Sequence, residues 1–204
     1  MNHFLRAIVC FTVLTGSGWG RAFFIDAAAG SNSYSGRTEA QAWQAVSKLE
    51  SLTFTAGDTV ALKRGSEYPG NLWLTAAGAK QQPIVFTAYG TGADPIASNR
   101  GNSTNQIWAF NNSLWVVVEH INFRGVFSSG FEWRGTSSDC TIRDCEIDSA
   151  GMGINMEGTR NTATRCSIHN LHMINNTPGG DDDYGAVGVV LSGGNVDFED
   201  LAKY

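Results

Sequence analysis

Three short segments of the chain share one frame: Gly130-Phe131-Glu132-Trp133-Arg134-Gly135, Gly153-Ile154-Asn155-Met156-Glu157-Gly158 and Gly188-Val189-Val190-Leu191-Ser192-Gly193. Each reads glycine, apolar, variable, apolar, polar, glycine. A second unit recurs between them: His120-Ile121-Asn122-Phe123, Asp144-Cys145-Glu146-Ile147, Arg165-Cys166-Ser167-Ile168, and a weaker Asp200-Leu201. The offsets are 23 and 35 residues for the first unit and 24, 21 and 35 for the second. Two units recurring in step, with one long spacing in common, predict a solenoid whose coil takes a little over twenty residues, one coil carrying an insertion.

The repeated units alternate apolar and polar residues, which is the period of a strand. Phe131 and Trp133 point one way, Glu132 and Arg134 the other; Ile154 and Met156, then Val189 and Leu191, repeat the inward pair. Helical repeats need long runs of 3.6 period and leucine-rich repeats need a regular leucine frame, and neither is present here. The expected fold is therefore all-β, a parallel β-helix. Its flanking glycines would serve sharp corners, and its inward residues would form columns such as Ile121/Cys145/Cys166/Leu201.

Residues 1–22 have the layout of a secretory signal peptide: Arg6 in the n-region, an apolar run over 7–14, and Gly20-Arg21-Ala22 as a small-x-small cleavage site before Phe23. The run is too short to span a bilayer, so the expected location is periplasmic or extracellular. Without Arg6 and Arg21, 12 Lys+Arg face 19 Asp+Glu, a balance of about −7. That excludes a general nucleic-acid binder. Any acidic polysaccharide would have to be met by local cations or a bound metal. Of Cys140, Cys145 and Cys166, the last two fall at equivalent inward positions. They read as stacked buried hydrophobes or as a disulfide across coils; no spacing suits a metal site.

Residues 23–56 read as a short strand, a Gly/Ser-rich loop and a capping α-helix over 38–52, opened by a Thr38/Gln41 capping box. Ala42, Val46 and Leu49 line one face of that helix. Residues 57–204 would be the coils, beginning at Gly57-Asp58-Thr59-Val60. The aromatic residues Trp108, Phe110 and Trp115 read as core. The pattern Phe24-Ile25-Asp26, a Gly/Ser loop, a helix, Gly57-Asp58-Thr59-Val60, Gly65, Tyr68 and Pro83-Ile84 resembles the N-terminal portion of secreted right-handed parallel β-helix proteins of the pectate-lyase-like superfamily, which includes bacterial polysaccharide lyases. The resemblance covers roughly residues 23–170 and rests on structural positions. Members of that group are generally longer, so the expectation is a β-helix truncated at its C-terminus and, if full length, a monomer.

The outward positions of the first unit offer a polar groove for an extended sugar chain. Glu132 stacks near Asn155, and Arg134 near Glu157, as substrate-binding candidates. In the resembled lyases such a groove binds uronate residues, a cation (often Ca²⁺) neutralises the carboxylate, and a Lys or Arg removes the α-proton. On that analogy Arg134 is the candidate base; an Arg134–Glu157 ion pair on a solvated face is the competing reading. Asp181, Asp182 and Asp183, on a Gly-rich loop, are candidate Ca²⁺ ligands, a solvated acidic loop or a source of a catalytic carboxylate. His120, His169 and His172 form no recognisable metal pattern and read as isolated corner residues. The expected function is a polysaccharide lyase acting on an acidic polysaccharide. A hydrolase or epimerase on the same scaffold, a non-catalytic adhesin-like binding solenoid and an inactive fragment remain open.

Overall fold

A computed structural model describes residues 20–99, 106–125, 127–174 and 184–192. The chain winds so that each coil gives one short strand to each of three parallel sheets. The first sheet stacks Ala22–Ile25, Thr59–Lys63, Ile84–Tyr89, Val116–Glu119, Thr141–Arg143 and Thr162–Thr164. The second stacks Glu67–Pro69, Ile96–Ser98, Asn122–Arg124, Glu146–Asp148 and Ser167–His169. The third stacks Leu72–Leu74, Trp108–Asn111, Ser129–Arg134, Met152–Met156 and Val187–Leu191.

The repeat frame lands in register. Phe131 pairs with Ile154 and Ile154 with Val189. The same ladder runs back through Trp108 to Leu72. The frame therefore has two earlier copies, Trp108-Ala109-Phe110 and Leu72-Trp73-Leu74, which lack the flanking glycines that mark the later ones. Inward residues fill the interior with interlocking rings: Phe110 lies 5.2 Å from Trp133, Phe131 4.7 Å from Trp133, and Phe123 5.4 Å from Phe131, centroid to centroid. Such pairs add about 0.5–1.5 kcal/mol each beyond their burial. A second inward column, Tyr68, Ala97, Phe123, Ile147 and Ile168, comes from the second sheet.

The two glycines of the frame do different work. Gly135 makes a corner in the left-handed region, φ 62°. Gly130 lies within a strand, and a β-carbon there would come 2.5 Å from Ile147 Cγ2; at Gly153 the same atom would meet Ile168 Cγ2 at 2.6 Å. These glycines let the third sheet start hard against the second. Most other corners use ordinary residues in the left-handed region: His120 (φ 54°), Asp144 (φ 52°) and Arg165 (φ 51°) share one edge, and Ser149 (φ 60°) and Asn170 (φ 54°) another. Ion pairs between neighbouring coils accompany them, Arg165 to Asp144 at 2.6 Å and Arg160 to Asp139 at 2.6 Å.

The expected capping α-helix is not formed. Residues 38–52 instead hold two 3₁₀ helices, Glu39–Gln41 and Val46–Ser51, and the Thr38 side chain makes no capping bond. Between them Trp43 is drawn out as a bridge beside Ile25, its N–H donating to the Phe24 carbonyl and its carbonyl accepting from Asp26 N–H. Its indole stacks on Phe23 at 5.6 Å and donates to the Tyr34 carbonyl at 2.7 Å. Satisfying the open edge of the first sheet and burying an indole outweigh the modest helix preference of the segment. Val46 and Leu49 remain buried over the coil end, so the segment still caps.

Candidate functional site

Two polar faces stand out. On the outer face of the third sheet, register places Trp73, Ala109, Glu132, Asn155 and Val190 in one column. Of the aromatics expected in the core, Trp108 and Phe110 are buried, whereas Trp115 is half-buried at a left-handed corner, φ 51°. Trp73 faces outward: its neighbours Leu72 and Leu74 point inward and it is 47% exposed. Arg134 reaches back over that indole, with its guanidinium carbon 5.4 Å from the ring centroid. The same guanidinium donates to Glu132 Oε2 at 3.1 Å. Glu132 is only 3% exposed, so this cation compensates a buried charge. Beyond it, Ser192 Oγ donates to Asn155 Oδ1 at 2.7 Å.

The outer face of the second sheet carries a denser arrangement. Arg124, Asp148 and His169 stand in one column and Asn122, Glu146 and Ser167 in the next. Arg124 Nε lies 3.0 Å from Asp148 Oδ2, and its Nη2 lies 3.8 Å from Glu146 Oε2. From the other side His169 places Nε2 2.8 Å from Glu146 Oε1 and Nδ1 3.4 Å from Asp148 Oδ1. Asn122 Nδ2 donates to Glu146 at 3.1 Å, and Asn170 Nδ2 and Ser149 Oγ donate to Asp148 at 2.8 and 3.0 Å. Those bonds, with Asn170 the strongest and with help from His169 and Arg124, hold the Asp148 carboxyl below its usual range against the opposing effect of burial.

Residues 105–198 match the family model described as "Right handed beta helix region". Among solved structures the chain is similar to the GH136 lacto-N-biosidase from Eubacterium ramulus, with 20% identity and a TM-score of 0.57 over 74% of this chain and 34% of that one. It is also similar to the alginate lyase from Paenibacillus sp. str. FPU-7, with 17% identity and a TM-score of 0.50 over 73% of this chain and 58% of that one. The chain folds as a right-handed parallel β-helix. It spans about a third of the length of the lacto-N-biosidase, and identities this low show a common fold and no more. No curated protein sequence matches it.

The β-helix brings the expected groove residues together but pairs them differently. Glu132 and Asn155 are register partners on one face, with Arg134 beside them. Arg134 does not pair with Glu157. Because Glu132 stands two residues back on the same strand and is buried, it captures the guanidinium, while Glu157 Oε2 accepts the Gly135 N–H at 2.6 Å and closes the corner. Asp181, Asp182, Asp183 and Leu201 lie outside the described residues. Among the described residues no group of three or more His, Cys, Asp or Glu side chains is placed to hold a metal ion, and no helix is long and apolar enough to cross a membrane. Cys140, Cys145 and Cys166 are free thiols.

The sequence reading passed over Trp73 and the second-sheet cluster. Trp73 could have been found from the strict alternation of Leu72-Trp73-Leu74. Glu146 and Asp148 could have been found by continuing the second repeat unit one residue, which aligns Asp148 with Arg124 and His169. His169 is thus not an isolated corner residue, whereas His120 does occupy a left-handed corner.

Proposed function

We propose that this β-helix is an exported carbohydrate-active protein that lays an acidic polysaccharide along the outer face of its third sheet and cleaves it by β-elimination. The carrying observation is the half-exposed Trp73 indole with the Arg134 guanidinium beside it on a flat strip that continues through Asn155 to Ser192. An indole offers an apolar platform for a sugar ring, and a guanidinium is the preferred partner of a carboxylate. Asn155 and Glu157 supply acceptors for sugar hydroxyls, while the buried Glu132 holds Arg134 in place. Arginine stays protonated in proteins, so Arg134 suits neutralisation of the uronate carboxylate better than removal of a proton. The export reading rests on residues 1–22. Calcium, in this proposal, is held by Asp181, Asp182 and Asp183.

A second reading has its own observation. Among the described residues that face outward from the third sheet there is no histidine, lysine or tyrosine to act as a base, which favours a binding surface without catalysis. One experiment separates the two: incubation with pectate, alginate and chondroitin, with and without EDTA. Ultraviolet absorbance from an unsaturated uronide supports the lyase, and its loss in EDTA supports the calcium. Retention on a polyuronate gel without product supports the binding protein. Neither absorbance nor retention would sink both.

A further inference from the structure

We propose that the outer face of the second sheet is a second saccharide site, at which Glu146, Asp148 and His169 form an acid–base centre that hydrolyses a glycosidic bond in a glycan free of carboxylates. Three other ion pairs between coils match one cation to one anion: Arg143 to Glu119, Arg160 to Asp139, Arg165 to Asp144. Here two carboxylates two residues apart on one strand are spanned by a single arginine below and a single imidazole above, with one carboxylate at each ring nitrogen. His169 thus stands between two carboxylates, 2.8 Å from Glu146 and 3.4 Å from Asp148. None is sealed off: the side chains of Glu146, Asp148 and His169 are 34%, 16% and 39% exposed.

The two carboxylates have different surroundings, which divides their roles. Asp148 receives Asn170, Ser149 and Arg124 and is kept as an anion. Glu146 Oε1 lies 2.8 Å from His169 Nε2, and in the proposed step this pair carries the proton. Hydrolysis then runs as paired proton transfers. The bond between the anomeric carbon and the leaving oxygen breaks as that oxygen takes the proton held between Glu146 and His169. Asp148 takes one proton from a water molecule, whose oxygen bonds to the anomeric carbon. One water is consumed, and solvent returns the proton from Asp148 to the Glu146–His169 pair. With the one proton that the step requires on the Glu146–His169 pair, Asp148 and Arg124 cancel, so no net positive charge is left to draw a uronate, which favours a glycan without one. Asn122, Ser149 and Asn170 provide amide and hydroxyl partners for sugar hydroxyls.

The test is release of reducing ends from chitin oligosaccharides, xylan and β-1,3-glucan, measured beside ultraviolet absorbance. The wild-type chain is expected to release reducing ends from at least one of them with no absorbance. Glu146→Gln and Asp148→Asn should each lower that rate by about 100-fold or more. His169→Gln should lower it and flatten its pH profile. Arg160→Gln, in a corner ion pair away from both faces, should leave it unchanged. If the carboxamide variants fail to fold, His169→Gln alone carries the decision. No reducing ends from any of the three glycans, or variants as fast as the wild type, overturns the proposal. Because the readout and the glycans differ from those of the polyuronate assay, either reading can fail without the other.

Discussion

Arg134 lies across the indole of Trp73, 5.4 Å from the ring centroid, although the two side chains leave strands two coils apart. Ala109, which stands between Trp73 and Glu132 in register, is too small to fill the space, and Arg134 reaches back from the next outward position to cover the indole. Trp73→Ala is expected to weaken retention on a polyuronate gel about tenfold, the equivalent of about 1.4 kcal/mol. It should change stability by less than about 1 kcal/mol, since half the indole is already in water. Arg134→Ala should weaken retention too, but it also strands the buried Glu132 and should cost about 2 kcal/mol, a figure reduced because Arg134 is 38% exposed. Affinity chromatography beside urea unfolding separates the two effects. Equal losses of stability in both variants would contradict the assignment of Trp73 to the surface.

Arg21 bears on where the mature chain would begin. Its side chain grips Asp58 through Nε and Nη2, its backbone N–H donates to the same carboxylate at 2.8 Å, and Nη2 donates to the Thr53 carbonyl at 2.7 Å. Asp58 is fully buried, so cleavage between Ala22 and Phe23 would leave its charge with only Thr55 as a partner. The expected outcome of intact-mass analysis on exported protein is an N-terminus at or before Arg21. Arg21→Ala should cost about 2 kcal/mol in urea unfolding, below the usual loss for a broken buried pair because Arg21 is partly exposed. A stable chain starting at Phe23 would contradict both statements.

Legibility in the sequence followed the regularity of the coil. Phe131, Ile154 and Val189 could be aligned because these three copies of the unit are bounded by glycines and the side-chain period of a strand is two. Leu72 and Trp108 belong to the same column but were not recognised, since glycine flanks are a packing and corner device that the earlier coils do without. Residues 38–52 misled for a different reason. Their capping-box pattern is local, whereas the open backbone edge of Ala22–Ile25 that recruits Trp43 is a tertiary demand. The Arg134–Glu157 expectation failed because stacking distance alone does not weigh burial. Glu132 has the greater need of a cation, and Glu157 has a corner N–H to satisfy.

Acid should unfold the chain through a small set of aspartates. Burial alone would raise the Asp58 carboxyl, but hydrogen bonds from Arg21 and Thr55 overcome it and hold it below its ordinary value. Hydrogen bonds from Arg160, Arg165 and Asn170 do the same for Asp139, Asp144 and Asp148. A carboxyl with a depressed folded-state pKa stabilises fully above its unfolded value, about 3.9, and loses that contribution as pH falls through the folded value. The urea midpoint is therefore expected to drop steeply below about pH 4, and Asp58→Asn should make the drop shallower. A midpoint that rises on acidification from neutrality to pH 3 would rule this account out.

The stacked thiols should react unequally. Cys145 and Cys166 are register neighbours, with Ser167 N–H donating to the Cys145 carbonyl at 3.0 Å. Each thiol also leans on the carbonyl two residues before it, Arg143 for Cys145 and Thr164 for Cys166. The hydrogen bond between the thiols favours a thiolate at Cys166 and opposes one at Cys145, whose burial works in the same direction. Cys140 is pushed up to about 11 by burial. Because the thiolate is the reacting species, iodoacetamide on the reduced native protein should alkylate half-buried Cys166 first. Cys140 and Cys145 should follow only on unfolding, as read by peptide mass spectrometry. Cys166→Ser should abolish the fast phase without reaching the other two. Rapid labelling of Cys145 in the folded protein would mean that the coils carrying Cys145 and Cys166 separate far more readily than their parallel pairing implies.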